Sequence, residues 1–273
     1  MSTLPVLNGS SFRLNSFQLK LIGMLLMVFD HIHQFFPADV PVWFNWIGRI
    51  VAPIFLFASA EGYHYTRSKW KYMMHLYVGY VLMGIISMLL QRQLPSDNAL
   101  MNNIFGTLFL SVLYMLLIDW LVGAIKARKY AQMAAAVIAL LLPFIINQAA
   151  LQLLTSSALN NPWVLQAFIY VNLIIPIPAF VEGGFVFIIL GVLFHLLRQK
   201  RLWQIVVLVA VSTFAAWAGG FDLWVNYQWM MVFAAIPIAL YNGAKGRNMK
   251  YLFYVFYPVH IYFLYILAYW LGK

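Results

Sequence analysis

Apolar stretches close to twenty residues long recur along the whole chain, parted by short polar segments in which lysine and arginine gather. Wound as helices, runs of that length match the hydrocarbon thickness of a bilayer. The pattern predicts an all-α polytopic transmembrane helix bundle. It has about nine spans, near 17–36, 42–65, 71–91, 102–125, 130–147, 181–198, 203–219, 226–242 and 250–271. The segment 148–180 departs from it. That segment carries no charge, and its apolar run from Trp163 to Ile175 is followed by Pro176 and Pro178, which end any helix. It reads as an interfacial or re-entrant piece, or as two short helices on the membrane surface. Irregular backbone survives at membrane depth only beneath protein or beside water. No internal repeat is visible, so the inverted-repeat signature of many secondary transporters is missing.

The basic residues orient the spans. With the N-terminus in the cytoplasm, fourteen of the 17 lysines and arginines fall on cytoplasmic segments, from Arg13 and Lys20 through Arg67, Lys69 and Lys71 to Lys245, Arg247 and Lys250. Arg92 and Lys273 lie on the opposite side, and Arg49 lies within a span. Such an asymmetry sets topology, and it puts the C-terminus outside. Adding or dropping one span would scramble it.

Composition agrees. Of 273 residues, 64% are hydrophobic and 9% charged, and the mean hydropathy is +0.83. Residues 1–273 are expected to form a single integral membrane domain, with neither end long enough for a soluble one. The absence of cysteine removes disulfides, thiolate metal sites and cysteine nucleophiles together, and no metal ligand set is read. The first span is not a cleaved signal peptide, because Asp30 and His31 stand where a small-residue cleavage site belongs. The net charge of +10 does not point to nucleic acid, since the basic residues sit in short clusters between spans and form no stripe with interleaved aromatics.

Depth sorts the remaining polar residues into two sets. Asp30, His31 and His33 lie in the outer half of the first span, and Arg49 near the same level of the second. Asn102 and Asn103 open the fourth span and Glu182 the sixth, both from outside. Ionisable groups at membrane depth cost several kcal/mol unless paired, so they mark functional sites by default. An adjacent carboxylate and imidazole form a plausible general-base unit. Asp30 and His33, three apart, share a helix face, whereas His31 points elsewhere, so spacing leaves either histidine as the base. Arg49 reads as a guanidinium near the level of His31 or as a snorkelling side chain. Pro53 removes the hydrogen bond to its carbonyl. The two asparagines also read as helix caps, and Glu182 as a partner for a helix N-terminus.

The second set faces the cytoplasm: Glu61, His64, Tyr65, Arg67, His75, Tyr241, Asn242, Lys245, Arg247, Tyr257 and His260. Basic and rich in donors, it suits a phosphate-bearing ligand arriving from the cytosol. Pro258 opens the backbone at the Tyr254 carbonyl, one turn before His260, and kinked helices carrying a histidine commonly line cavities. Glu61 and His64 also read as a surface pair.

Several segments together resemble the TraX family. They are Leu19–Ile22, Met27–His31, Arg49–Phe55, Glu61–Tyr63, Thr66–Arg67, Asn102–Phe105, Pro237–Gly243 and Phe253–His260, in order over nearly the whole chain and weakest across 126–180. The resemblance implies a membrane acyltransferase of the bacterial cytoplasmic (inner) membrane. The family's named member is an acetylase that caps the N-terminus of F-type pilin, and wider relatives move acyl groups from acyl-CoA to acceptors outside the cytosol. In those relatives a histidine of the first helix is essential, and it falls on His31.

The scheme this implies uses acetyl-CoA as acyl donor, with Arg67, Tyr241, Asn242, Lys245, Arg247 and His260 holding it at the cytoplasmic rim. His31 acts as base, Asp30 supports the imidazolium, and Arg49 or the two asparagines stabilise the oxyanion. Glu182, with His33, meets an acceptor that is a pilin, another peptide amine or a glycan hydroxyl. Direct transfer and an acyl-imidazole intermediate both fit. The other classes weighed are a proton-coupled transporter and a non-catalytic assembly factor for surface appendages.

Overall fold

A computed structural model describes residues 13–96, 98, 100, 103–247 and 249–272. The described residues build helices throughout, apart from one isolated backbone bridge between Leu14 and Tyr241. In chain order they are α1 (Ser16–Phe35), α2 (Trp43–Gly48), α3 (Val51–Tyr65), α4 (Lys69–Gln93), α5 (Ile104–Lys126), α6 (Tyr130–Thr155) and α7 (Pro162–Ile174). There follow α8 (Gly184–Leu196), α9 (Arg201–Ala218), α10 (Ala235–Leu240) and α11 (Lys250–Trp270). Short 3₁₀ turns lie at Ser157–Asn160 and Pro178–Phe180, and a longer one, Tyr227–Ala234, leads into α10.

Six helices among the described residues are long and apolar enough to cross a membrane: α2 with α3, then α4, α5, α6, α9 and α11. All nine expected spans are helical, but three fall short of that measure. In α1 the polar run at Asp30, His31, His33 and Gln34 dilutes the apolarity. Helix α8 is only 13 residues long. In 226–242 a 3₁₀ turn gives way to α10 two residues before Pro237, which cannot donate to the Phe233 carbonyl. The chain is thus a polytopic helical membrane protein.

The caps are local. Asn15 and Gln18 form a reciprocal capping box on α1, at 2.9 and 3.0 Å. Ser68 caps α4 and Asn103 caps α5. Helices α2 and α3 form one bent span. Its ladder breaks at Arg49 and Ile50, where Pro53 lacks the N–H for the Arg49 carbonyl. This span is the most buried of the six. Helix α3 packs on α8, α1 and α5, and α1 packs on α2, α3 and α11. The largest enclosed side chains include Tyr63, Phe57, Phe194, Phe35 and Tyr265.

The segment 148–180 resolves into helices. Helix α6 does not stop at 147. Asn147 is buried there and accepts a 2.8 Å hydrogen bond from the Ala179 amide, which ties the turn before α8 back onto α6. Helix α7 ends just before Pro176, buries none of its own side chains and leans on α4. Tyr77 and Tyr80 of α4 donate to the Ile174 and Asn172 carbonyls.

At the basic end of the bundle, Asp119 accepts from Lys69 (2.6 Å), Tyr63 (2.8 Å) and His195 (3.1 Å), joining α3, α4, α5 and α8. Glu61 does not pair with His64. It is buried and meets Arg198 at 3.0 Å.

Candidate active site

Two cavities enter the bundle from opposite ends. The first, of about 420 Å³, opens among Lys20, Arg67, Lys71 and Tyr251. The second, of about 1150 Å³, lies between α1, α4 and α7, with Arg92, Gln166 and Tyr170 in its wall. Asp30, His31, Gly48, Ala52 and Glu182 line both. The two cavities therefore abut at one polar locus deep in an apolar bundle.

His31 is 6% exposed, and its Nδ1 lies 2.7 Å from Nε2 of His260. Nδ1 of His260 lies 2.7 Å from the Phe256 carbonyl oxygen. A carbonyl only accepts, so Nδ1 of His260 carries a proton. In the neutral ring its Nε2 is then an acceptor. His31 donates to it through Nδ1–H, which leaves the His31 Nε2 lone pair free. Phe256 stacks on the His260 ring at 4.7 Å and fixes its plane.

Asp30, the next residue along, faces α2. Its carboxylate meets Arg49 Nη2 at 3.5 Å. The approach needs Gly48, where a Cβ would overlap the Asp30 carboxylate. Arg49 also donates to Asn45 through Nε, at 2.9 Å, and to Gln228 at 3.4 Å, and it lines only the second cavity. The hydrogen-bond partner of His31 is thus His260, not Asp30. His33 lines the second cavity one turn beyond Asp30.

Glu182 arrives from a tight turn. Gly183 and Gly184 both take positive φ, and the Glu182 carbonyl accepts a 2.7 Å hydrogen bond from Thr107 of α5. The turn directs the Glu182 carboxylate to the locus shared by the cavities. That carboxylate forms no hydrogen bond among the described residues.

The other expected residues lie apart from the mouth of the first cavity, with one exception. His260 lies at the buried locus behind His31, not at the rim, because it sits midway along α11. Tyr241 is buried against Phe57 and beneath the Arg201 guanidinium. Asn242 pairs by its backbone with Leu14. Neither they nor Lys245 and Arg247 line the first cavity, since the loop after α10 folds over the start of α1. Of the expected rim residues only Arg67 lines it, joined by Lys20 and Lys71. The sequence marks these two only as orienting charges. Asn103 lines the second cavity, but its amide is engaged, capping Phe105 at 3.1 Å and donating to the Tyr80 carbonyl at 3.0 Å. Asn102 lies outside the described residues. Gly48 carries no sequence signal, and Tyr257, expected in the cytoplasm-facing set, lines the first cavity.

Such a bundle defines a class: a polytopic helical membrane protein with a buried imidazole pair between two opposed cavities. The family model described as TraX protein matches residues 16–268. The chain belongs to the TraX family. No curated protein and no solved structure matches it.

Proposed function

We propose that this protein is a membrane-embedded acyltransferase of the bacterial inner membrane, moving an acetyl group from cytosolic acetyl-CoA to an acceptor on the far side of the bilayer. The observation that carries this reading is the meeting of two cavities at His31, whose Nε2 is free. Family membership supports it independently.

The donor enters the first cavity. Lys20, Arg67 and Lys71 at its mouth offer charge to the CoA phosphates, and the pantetheine arm extends toward His31. The acceptor enters the second cavity. A cationic amine there finds Glu182, and the wider volume admits the start of a peptide such as a pilin; a glycan hydroxyl is the other acceptor chemistry. An ammonium acceptor first releases one proton to water in the open second cavity, and His31 Nε2 takes the next as the neutral amine, or the hydroxyl, attacks the thioester carbonyl. His260 stabilises the resulting imidazolium by accepting from Nδ1–H. Asp30 neutralises Arg49 and keeps it on the acceptor side. Two opposed cavities favour direct transfer, since both substrates reach the imidazole together.

The test is acetyl release and transfer by purified protein given radiolabelled acetyl-CoA, paired with mass spectrometry of envelope peptides and glycans. Wild-type cells should carry one acyl group that the His31→Ala variant lacks. Unaltered acetylation in that variant overturns the reading.

A further inference from the structure

Resting on the acyltransfer reading, we infer that Tyr257 is a further catalytic residue: its phenolic O–H donates to the thioester carbonyl oxygen as negative charge develops there. Of the three residues that the family resemblance offered for this task, Asn102 lies outside the described residues and the other two are otherwise engaged. Arg49 is held by Asn45, Gln228 and Asp30 and lines only the acceptor cavity. Asn103 is bound to α5 and to the Tyr80 carbonyl. Tyr257 lines the donor cavity and is 4% exposed, with its ring centroid 6.0 Å from that of His31.

The phenol is held at its oxygen. The Ile104 N–H, at the start of α5, donates to Tyr257 Oη at 3.2 Å. That amide belongs to the first turn of α5, whose N–H groups have no partner within the helix. With the oxygen accepting on the α5 side, its O–H is left for the cavity, and it donates to nothing among the described residues. A hydroxyl that accepts a hydrogen bond is polarised into a better donor. Phe105 packs edge-on against the ring at 5.3 Å and limits its swing.

In the reaction, the acceptor nitrogen or oxygen bonds to the thioester carbon, and the carbonyl π pair moves onto oxygen. The acceptor proton passes to His31 Nε2. Tyr257 donates a hydrogen bond to the oxyanion and keeps its proton. On collapse the C–S bond breaks, its electron pair goes to sulfur, and His31 returns the proton to give CoA thiol. The products are acetylated acceptor and free CoA.

The experiment compares wild type, His31→Ala and Tyr257→Phe in one assay, with radiolabelled acetyl transfer and acetyl-CoA binding both measured. Losing one oxyanion donor costs on the order of a hundredfold or more in turnover. The Tyr257→Phe variant should fall by that factor while binding acetyl-CoA within about twofold of wild type. Should that variant fail to bind the donor, p-aminophenylalanine at position 257 keeps an N–H donor and should transfer measurably. Wild-type turnover in Tyr257→Phe overturns the assignment alone. So does a donor-binding p-aminophenylalanine variant that transfers nothing. A wild-type protein that binds acetyl-CoA and transfers nothing overturns the acyltransfer reading and this assignment with it.

Discussion

Nδ1 of His31 and Nε2 of His260 lie 2.7 Å apart, joining the first and last helices of the bundle through one hydrogen bond between buried imidazoles. Phe256 fixes the tautomer of His260, and His260 fixes that of His31. The His260→Ala variant should leave the donor site intact but lower acetyl turnover by about 10- to 100-fold, since a misoriented base loses much of its general-base contribution. The split between unchanged acetyl-CoA binding and reduced turnover checks this.

Gly48 exists for Asp30. Adding a methyl at 48 drives the Cβ into the Asp30 carboxylate, which cannot withdraw without leaving Arg49. Gly48→Ala should cost about 1–3 kcal/mol of stability by overpacking, read as a lowered melting temperature in detergent. The cost should shrink in an Asp30→Ala background, because the two residues touch and their effects are not additive.

The mouth of the first cavity separates two groups of basic residues. Arg67→Ala and Lys71→Ala should each weaken acetyl-CoA binding by about tenfold, or 1.4 kcal/mol, because both line that cavity. Arg247→Ala should change binding little, since Arg247 lies outside the lining. Isothermal titration of the three variants decides it.

Glu182 tests the acceptor side. Glu182→Gln keeps the shape of the turn and removes the charge. With an amine acceptor, its KM should rise by about tenfold with turnover less affected, the pattern of lost ground-state binding. Acetyl-CoA binding should not move.

The helical class rests on features a sequence displays openly: apolar length, capping residues and prolines. Helix ends followed the same logic where a proline or a cap dictated them, as at Pro176 and Asn103. The expected end at 147 falls short of the observed Thr155, and the bond from the Ala179 amide to Asn147 is non-local and has no periodic trace. His31 stood out because a charge-bearing pair inside an apolar run is costly. Pro258 singles out His260 as well, but its pairing with His31, 229 positions away, has no local trace. Asp30 beside His31 invited a pairing that helix geometry forbids, because neighbours on a helix diverge by about 100°. Gly48 gave nothing to read, because what matters there is the missing Cβ.

In the proposed reaction, donor and acceptor reach one imidazole from opposite sides of the membrane. Proteoliposomes of uniform orientation, with radiolabelled acetyl-CoA on the Arg67 side and an acceptor peptide sealed on the other, measure this directly. Labelled peptide should accumulate across the bilayer with wild-type protein and not with His31→Ala. Labelling only when both substrates share one side, or equal labelling by the His31→Ala variant, would contradict the account.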